Sequence, residues 1–166
     1  MIALILTGAW LMERWGPGLN PVDWSFAASG RLCALDQVVD GDSLRLTCSG
    51  KPVEVRLYCI DAPEKDQKPW SNRSRAHLKR IAADRVELRP IETDRFGRTV
   101  AEVYSADGER RSLNLEQVKQ GQAAVYPRYC AESRFFRAER EARAAAIGIW
   151  STQGEHQTPW AFRHRH

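Results

Sequence analysis

A chain of 166 residues, 43% of them hydrophobic, can bury one ordinary core, and its length favours a single domain over two. That apolar content excludes a wholly disordered chain. A formal charge of +4 and a pI near 9.0 permit an anionic partner without demanding one, so the placement of charge along the chain has to decide.

Met1 to Met12 is apolar apart from Thr7, short of the roughly 20 residues that cross a bilayer as a helix. No Lys or Arg precedes the run, and Ser25-Phe26-Ala27 lies too far downstream for an obvious cleavage site, so it is not a convincing signal peptide. Export or a membrane tether is favoured; a mispredicted start and an amphipathic cap on the fold stay open. Residues 13–30, with Gly16-Pro17-Gly18 and Asn20-Pro21, read as an irregular linker. The expected layout is an apolar segment and linker over 1–30, one domain over 31–150 and a basic tail over 151–166.

From Arg31 to Ile60 the pattern is strand-like. Leu32, Val38 and Val39 lead into an Asp40-Gly41-Asp42 turn, Leu44 and Leu46 alternate with polar residues, Ser49-Gly50 marks a second turn, and Val53, Val55, Leu57 and Cys59 share a face. A three-stranded antiparallel meander follows, with Arg56 on the face opposite Leu57. Cys33 and Cys48 would then lie nearly opposite one another, which allows a disulfide suited to an oxidising compartment. The four cysteines show no Cys-x-x-Cys spacing and no histidine at zinc-ligand distance, which argues against structural zinc.

Beyond the meander, Pro63 stiffens the turn carrying Asp61 and Glu64. Ser71 is placed to cap a helix reaching about Asp84, with Leu78, Ile81 and Ala82 inward and Arg73, Arg75, Lys79 and Arg80 on a solvated face. Val86 to Ile91 and Thr99 to Ser105 read as strands joined by Thr93-Asp94-Arg95-Phe96-Gly97-Arg98. Helices are expected over Leu113 to Gln120 and over Glu132 to Gly148, the latter with Phe135, Ala138, Ala142, Ala146 and Ile149 along one side. Five short strands interrupted by helices predict a five-stranded Greek-key barrel of the oligonucleotide-binding (OB) type, mainly β with three packed helices. The tail ends Arg163-His164-Arg165-His166; contact with phosphates and a frayed terminus are both open readings. The histidines read as surface residues.

The chemistry concentrates at strand ends. Carboxylates brought together in a partly buried site need a cation. Asp42 and Asp61, with the Ala62 carbonyl, would offer hard oxygen ligands suited to calcium or magnesium, able to polarise a phosphoryl oxygen. Glu64, on the same stiff turn, is the candidate general base. Arg56 and Arg98 are forks for non-bridging phosphate oxygens, where charge grows in the transition state.

Asp40-Gly41-Asp42-Ser43, Val55-Arg56-Leu57, Asp61-Ala62-Pro63-Glu64, Thr93 to Arg98 and Gly148-Ile149-Trp150 together resemble the staphylococcal nuclease (thermonuclease) family, in its order and spacing, from about Arg31 to Trp150. The resemblance implies a five-stranded barrel with three helices and a calcium-dependent phosphodiesterase that cuts DNA and RNA to leave 3′-phosphate ends. DNA and RNA are the expected partners, with single strands the expected preference, which the residues themselves leave open. It implies Asp42, Asp61 and Ala62 as metal ligands, Arg56, Glu64 and Arg98 as catalytic residues, and Arg95, Phe96, Tyr126 and Tyr129 as substrate-binding residues. Three departures stand out: Ala62 replaces a threonine, Phe96 replaces a tyrosine and so lacks its hydroxyl, and the loop Lys65 to Pro69 is shorter than the family's lysine-rich one. No obligate protein partner is indicated and a monomer is expected. The alternative reading is a catalytically silent barrel that binds nucleic acid or protein; a phosphatase is disfavoured because no nucleophile or second-metal cluster is visible.

Overall fold

The computed structural model describes residues 30–166, so the apolar segment and linker expected over 1–30 lie outside the described residues except for Gly30. Strand β1 (Arg31–Val38) runs antiparallel to β2 (Ser43–Cys48), and β2 to β3 (Lys51–Leu57), the meander that the alternating pattern predicts. Ser49 and Gly50 both take positive φ, 51° and 77°, which the tight two-residue hairpin between β2 and β3 requires and glycine supplies without strain. After a tight turn, β4 is only Ile60–Asp61. Helix α1 (Trp70–Ile81) precedes β5 (Arg85–Thr93) and β6 (Thr99–Ser105). β5 pairs antiparallel with both β1 and β6, and β6 pairs parallel with β3, closing a five-stranded barrel in the order β1-β2-β3-β6-β5.

Val55, Leu57, Val86, Leu88, Ala101 and Val103 fill the interior. The parallel β3/β6 contact is short, and Asn114 of α2 (Leu113–Lys119) reinforces it. Its amide nitrogen donates to the carbonyls of Tyr58 and Ala101, and its oxygen accepts from the Val103 N–H. Helix α3 (Ser133–Ala144) buries Phe135, Ala138 and Ala142.

Several local expectations are corrected. Helix α1 begins at Trp70, with Pro69 rather than Ser71 at its N-cap, and stops at Ile81 instead of near Asp84. Helix α3 ends at Ala144, not Gly148, and Ala146, expected on the buried side, is exposed at φ 52° beyond that end. Cys59 does not continue the β3 face; it occupies the turn after β3 at φ 71°. A second, two-stranded sheet pairs β4 with β7 (Ala124–Val125), both too short to leave a period in the sequence.

The tail is folded. A 3-10 turn at Glu155–Gln157 leads into α4 (Pro159–Arg165), with Pro159 at the helix start and buried. His156, far from being a surface residue, is buried, stacks on Trp70 at 4.5 Å and bonds through Nε2 to the carbonyl of Ile149 at 2.9 Å. Barrel, three helices and this docked fourth make one body around one main core.

All four cysteines are paired. Cys33 and Cys48 are joined across β1 and β2 as the hairpin allows, and Cys59 joins Cys130, a pairing that no local pattern selects. The first links residues 15 apart on strands already paired; the second links residues 71 apart. Because stabilisation grows with the loop closed, Cys59→Ser with Cys130→Ser should lower the unfolding free energy by about 2–4 kcal/mol, and more than Cys33→Ser with Cys48→Ser. Denaturant titration of both double variants checks the order, and thiol titration of the unreduced intact protein should find no free thiol at these four residues.

Candidate active site

The site begins at the turn between β1 and β2. Asp40 Oδ1 accepts the Asp42 N–H at 2.9 Å, bending the chain so that the Asp42 side chain turns inward to 3% exposure. Gly41 is required here by proximity: a Cβ would stand 1.9 Å from Ser74 Oγ and 2.6 Å from Ala62 Cβ. Asp42 Oδ2 accepts the Ala62 N–H at 2.6 Å, so this turn and the β4 turn are tied directly.

Asp61 is fully buried at the end of β4, where its partner in the small sheet is Ala124. Arg56, opposite Ser43 in the β2/β3 register, reaches both aspartates with one guanidinium. Its Nη1 pairs closely with Asp42 Oδ1, while its Nη2 donates to Asp61 Oδ1 at 2.5 Å and to the Ile60 carbonyl at 3.2 Å. The acids of two separate turns therefore lie within the span of a single cation.

Glu64 follows on the same stiff turn, two residues past buried Ala62. Its N–H is fixed by Gln67 Oε1 at 2.8 Å, and its side chain is about one-third exposed. A residue absent from the expected set completes the cluster. Arg163 of α4 forks onto Asp61, Nη1 to Oδ1 and Nη2 to Oδ2 at 3.0 Å each, and Nη1 also pairs closely with Glu64 Oε1. Burial alone would lower the Arg163 pKa; hydrogen bonds and charge from Asp61 and Glu64 outweigh it, and the pKa is raised. The basic end of the tail thus meets carboxylates.

The other expected residues lie further out. Arg98 precedes β6, and the pairing of Arg56 with Val100 puts it on the Arg56 side of the barrel wall. Its guanidinium, however, is held by Asp94, with Nε to Oδ2 at 2.8 Å, and makes no hydrogen bond to Asp42, Asp61 or Glu64 among the described residues. Burial opposes ionisation of Asp94, but hydrogen bonds from the Arg98 side chain and from the Arg98 and Phe96 N–H groups prevail and lower its pKa. Phe96 is 69% exposed, with the guanidiniums of Arg95 and Arg98 4.7 and 5.6 Å from its ring centre. Tyr129 is half exposed and packs edge-on against Tyr126 at 4.9 Å. Tyr126 in turn is stacked by Trp160 of the tail, 5.3 Å between centres and 8° between planes.

Behind the Asp42 turn runs a buried polar network that the sequence reading also missed, having placed His77 at the surface. Gln117 of α2 donates through Nε2 to the Gly41 carbonyl at 2.6 Å and to Ser74, and its Oε1 meets His77 Nδ1 at 2.5 Å. The available sign was an uncharged polar residue beside Val118, at an inward position of α2 one turn after Asn114. For Arg163 it was the start signal Thr158-Pro159 followed by Trp160 and Phe162.

Chemically, the arrangement offers two buried carboxylates in mutual reach, a third at the solvent edge, and two guanidiniums. Three negative charges face two positive ones, so the cluster still favours added positive charge. The donors are all oxygen, and no group of three or more His, Cys, Asp and Glu side chains able to hold a metal occurs among the described residues. Two buried carboxylates fall short of such a group, so an ion held there would be a hard one completing its shell with main-chain oxygen and water, not zinc.

A family model described as staphylococcal nuclease homologue matches residues 54–152. The chain belongs to the staphylococcal nuclease family. Within that family it is 36% identical over 131 residues to a protein of Escherichia coli O157:H7 named an uncharacterized endonuclease, an alignment spanning 78% of this chain and 82% of the relative. It is 37% identical over 121 residues to a protein of the same name from Haemophilus influenzae, covering 72% and 66% of the two chains. A micrococcal nuclease of Shigella flexneri is 30% identical over 136 residues, covering 76% and 77%. The span of the family model includes Arg56, Asp61, Ala62, Glu64 and Arg98 but neither Asp42 nor Arg163.

The His77 network makes the support of the Asp42 turn sensitive to pH. Burial lowers the His77 pKa from 6.5, assisted by Arg80 and opposed by Gln117 and Glu116. A histidine held neutral in the folded state takes up its proton more readily when unfolded, so stability is full above about pH 6.5 and falls as pH drops below it. Urea titrations between pH 8 and pH 5 should show that fall, and His77→Gln should flatten it; an unchanged slope in the variant would assign the effect elsewhere.

Proposed function

We propose that this protein is a calcium-dependent nuclease that hydrolyses phosphodiester bonds of DNA and RNA to leave 3′-phosphate ends, with single strands preferred. The observation that carries the reading is the sharing of one guanidinium by Asp42 and Asp61 next to Glu64. A barrel that merely binds nucleic acid has no use for two buried aspartates kept within reach of one cation, since each carries a desolvation cost and repels phosphate.

In this reading Asp42 and Asp61, with the Ala62 carbonyl, would hold the calcium ion, which would supply positive charge to offset that developing on the phosphoryl group. Glu64 takes a proton from the attacking water as its oxygen bonds to phosphorus. The bond from phosphorus to the 5′ oxygen breaks, and that oxygen is protonated by solvent. Arg56 donates to the non-bridging oxygens as the phosphorus becomes five-coordinate, where donors fixed in advance contribute most. Arg98 joins it by exchanging Asp94 for phosphate, a swap of one anionic partner for another.

Arg95, Phe96, Tyr126 and Tyr129 are the substrate-binding residues. Phe96 offers an exposed ring flanked by two guanidiniums, a surface on which a splayed base can stack, and stacking tolerates any base. Tyr129 offers another. Splayed bases are characteristic of single strands, which fits the preference proposed. The two disulfides favour work in an oxidising compartment.

Denatured DNA should be cut in the presence of calcium, and EDTA should abolish cutting. Glu64→Gln should lower kcat steeply, and Arg56→Lys should lower it roughly 100-fold or more, because a point charge cannot reproduce the planar fork. Calcium-independent cutting would remove the metal from this reading, and no cutting by the intact protein would favour the silent binding module.

A further inference from the structure

Arg163 reaches the reacting groups of the proposed site from a part of the chain beyond the matched family span. Its helix is firmly anchored. Trp160 stacks on Tyr126, Pro159 is buried, and His156 is stacked on Trp70 and bonded to the Ile149 carbonyl. Tyr126 is itself fixed through its N–H to the Cys59 carbonyl at 2.9 Å. Residues tied at this many points behave as part of the wall, not as a strap that lifts away.

The fork of Arg163 sorts its contacts. Both oxygens of Asp61 are engaged at 3.0 Å, and Glu64 is gathered onto the same Nη1. Glu64 has no other side-chain hydrogen bond among the described residues; its turn fixes only its backbone. Without a partner, a one-third exposed glutamate would spread over its rotamers. With Arg163 in place the carboxylate is tethered beside Asp61.

We infer that Arg163 is a positioning residue of the nuclease site, a third guanidinium that holds the Glu64 carboxylate against Asp61 so that it faces the water it deprotonates. The inference rests on the reading of Glu64 as the base. Arg163 acts through Glu64, whereas Arg56 and Arg98 act on phosphate. Removing it therefore should leave substrate binding nearly intact and slow the chemical step, and where Glu64 is already disabled its removal should change nothing.

A kinetic cycle on denatured DNA tests this with Arg163→Ala, Arg163→Lys, Glu64→Gln and the double variant Glu64→Gln with Arg163→Ala, each checked for folding by thermal melting. Arg163→Ala should lower kcat about 100-fold, the scale of a misplaced catalytic group, with little change in KM. Arg163→Lys should recover only part, since an ammonium cannot engage both Asp61 oxygens and Glu64 in the same plane. The double variant should be no slower than Glu64→Gln alone. Losses that multiply would overturn the inference, as would an Arg163→Ala variant within about twofold of the intact protein, the scale of ordinary additivity error, or one faster than it. A Glu64→Gln variant at the intact rate would instead remove the base, and the role of Arg163 with it. Should Arg163→Ala fail to fold, Arg163→Gln replaces it, and a crystal structure of Arg163→Gln gives a reading independent of activity: a displaced Glu64 side chain supports the inference and an unmoved one overturns it.

Discussion

Two aspartates, one 3% exposed and one fully buried, face a common point in a wall of apolar residues, and most of the neighbouring structure answers to that constraint. A carboxylate withdrawn from water is tolerated only with full hydrogen bonding and opposite charge, and removing a sole partner from such a pair typically costs about 3–5 kcal/mol. Asp42 receives a main-chain N–H, the Ser43 hydroxyl and one arm of Arg56; Asp61 receives the other arm of Arg56 and both arms of Arg163. These partners come from the start of β2, from β3, from the β4 turn and from α4. The site is therefore a knot in the chain and not a decoration on one loop.

The barrel provides the fixed distances. Closure of β1 onto β5 leaves the five strands without a free edge, so the turns that leave its rim are launched from a stiff base. Outside the barrel, stiffness is supplied piecemeal. β4 and β7 brace Asp61, the Cys59 to Cys130 disulfide ties the turn before β4 to the segment before α3, and Gln117 props the Gly41 carbonyl from behind. Each element is too small to be stable alone, and each spans a gap between larger ones.

How much of this could be read beforehand follows from range. Elements with several residues of period announce themselves: β2, β3, β6 and α2 stand where alternation and helical spacing put them, and the Cys33 to Cys48 bond follows from hairpin register. Asp42, Arg56, Asp61 and Glu64 sit on or beside punctuated turns at strand ends, and that they gather in one cluster was legible from this placement. The two-residue strands carry no period. The Cys59 to Cys130 bond spans 71 residues, and no local rule selects it. His77 and His156 looked like surface residues because a histidine's burial is decided by its partner, and Gln117 and the Ile149 carbonyl are distant in sequence or fixed by a turn. Arg163 was read as part of a basic end, since its charge is visible locally and its destination is not.

Charge balance connects these findings to how the site would work. In the protein alone, Arg56 serves both aspartates and Arg98 serves Asp94, so the two guanidiniums suited to phosphate are already engaged as internal counterions. Positive charge added at Asp42 and Asp61 would relieve Arg56 of that duty, and a phosphate arriving at the same place would supply it with a new anionic partner. The exchange conserves the number of charged contacts at each step, so no arginine is left buried and bare. Arg163 differs from both because it comes from a helix stacked and packed at several points and its partners are the carboxylates of Asp61 and Glu64. On the reading proposed, two forks turn to the substrate while the third, carried by the anchored tail, holds the base.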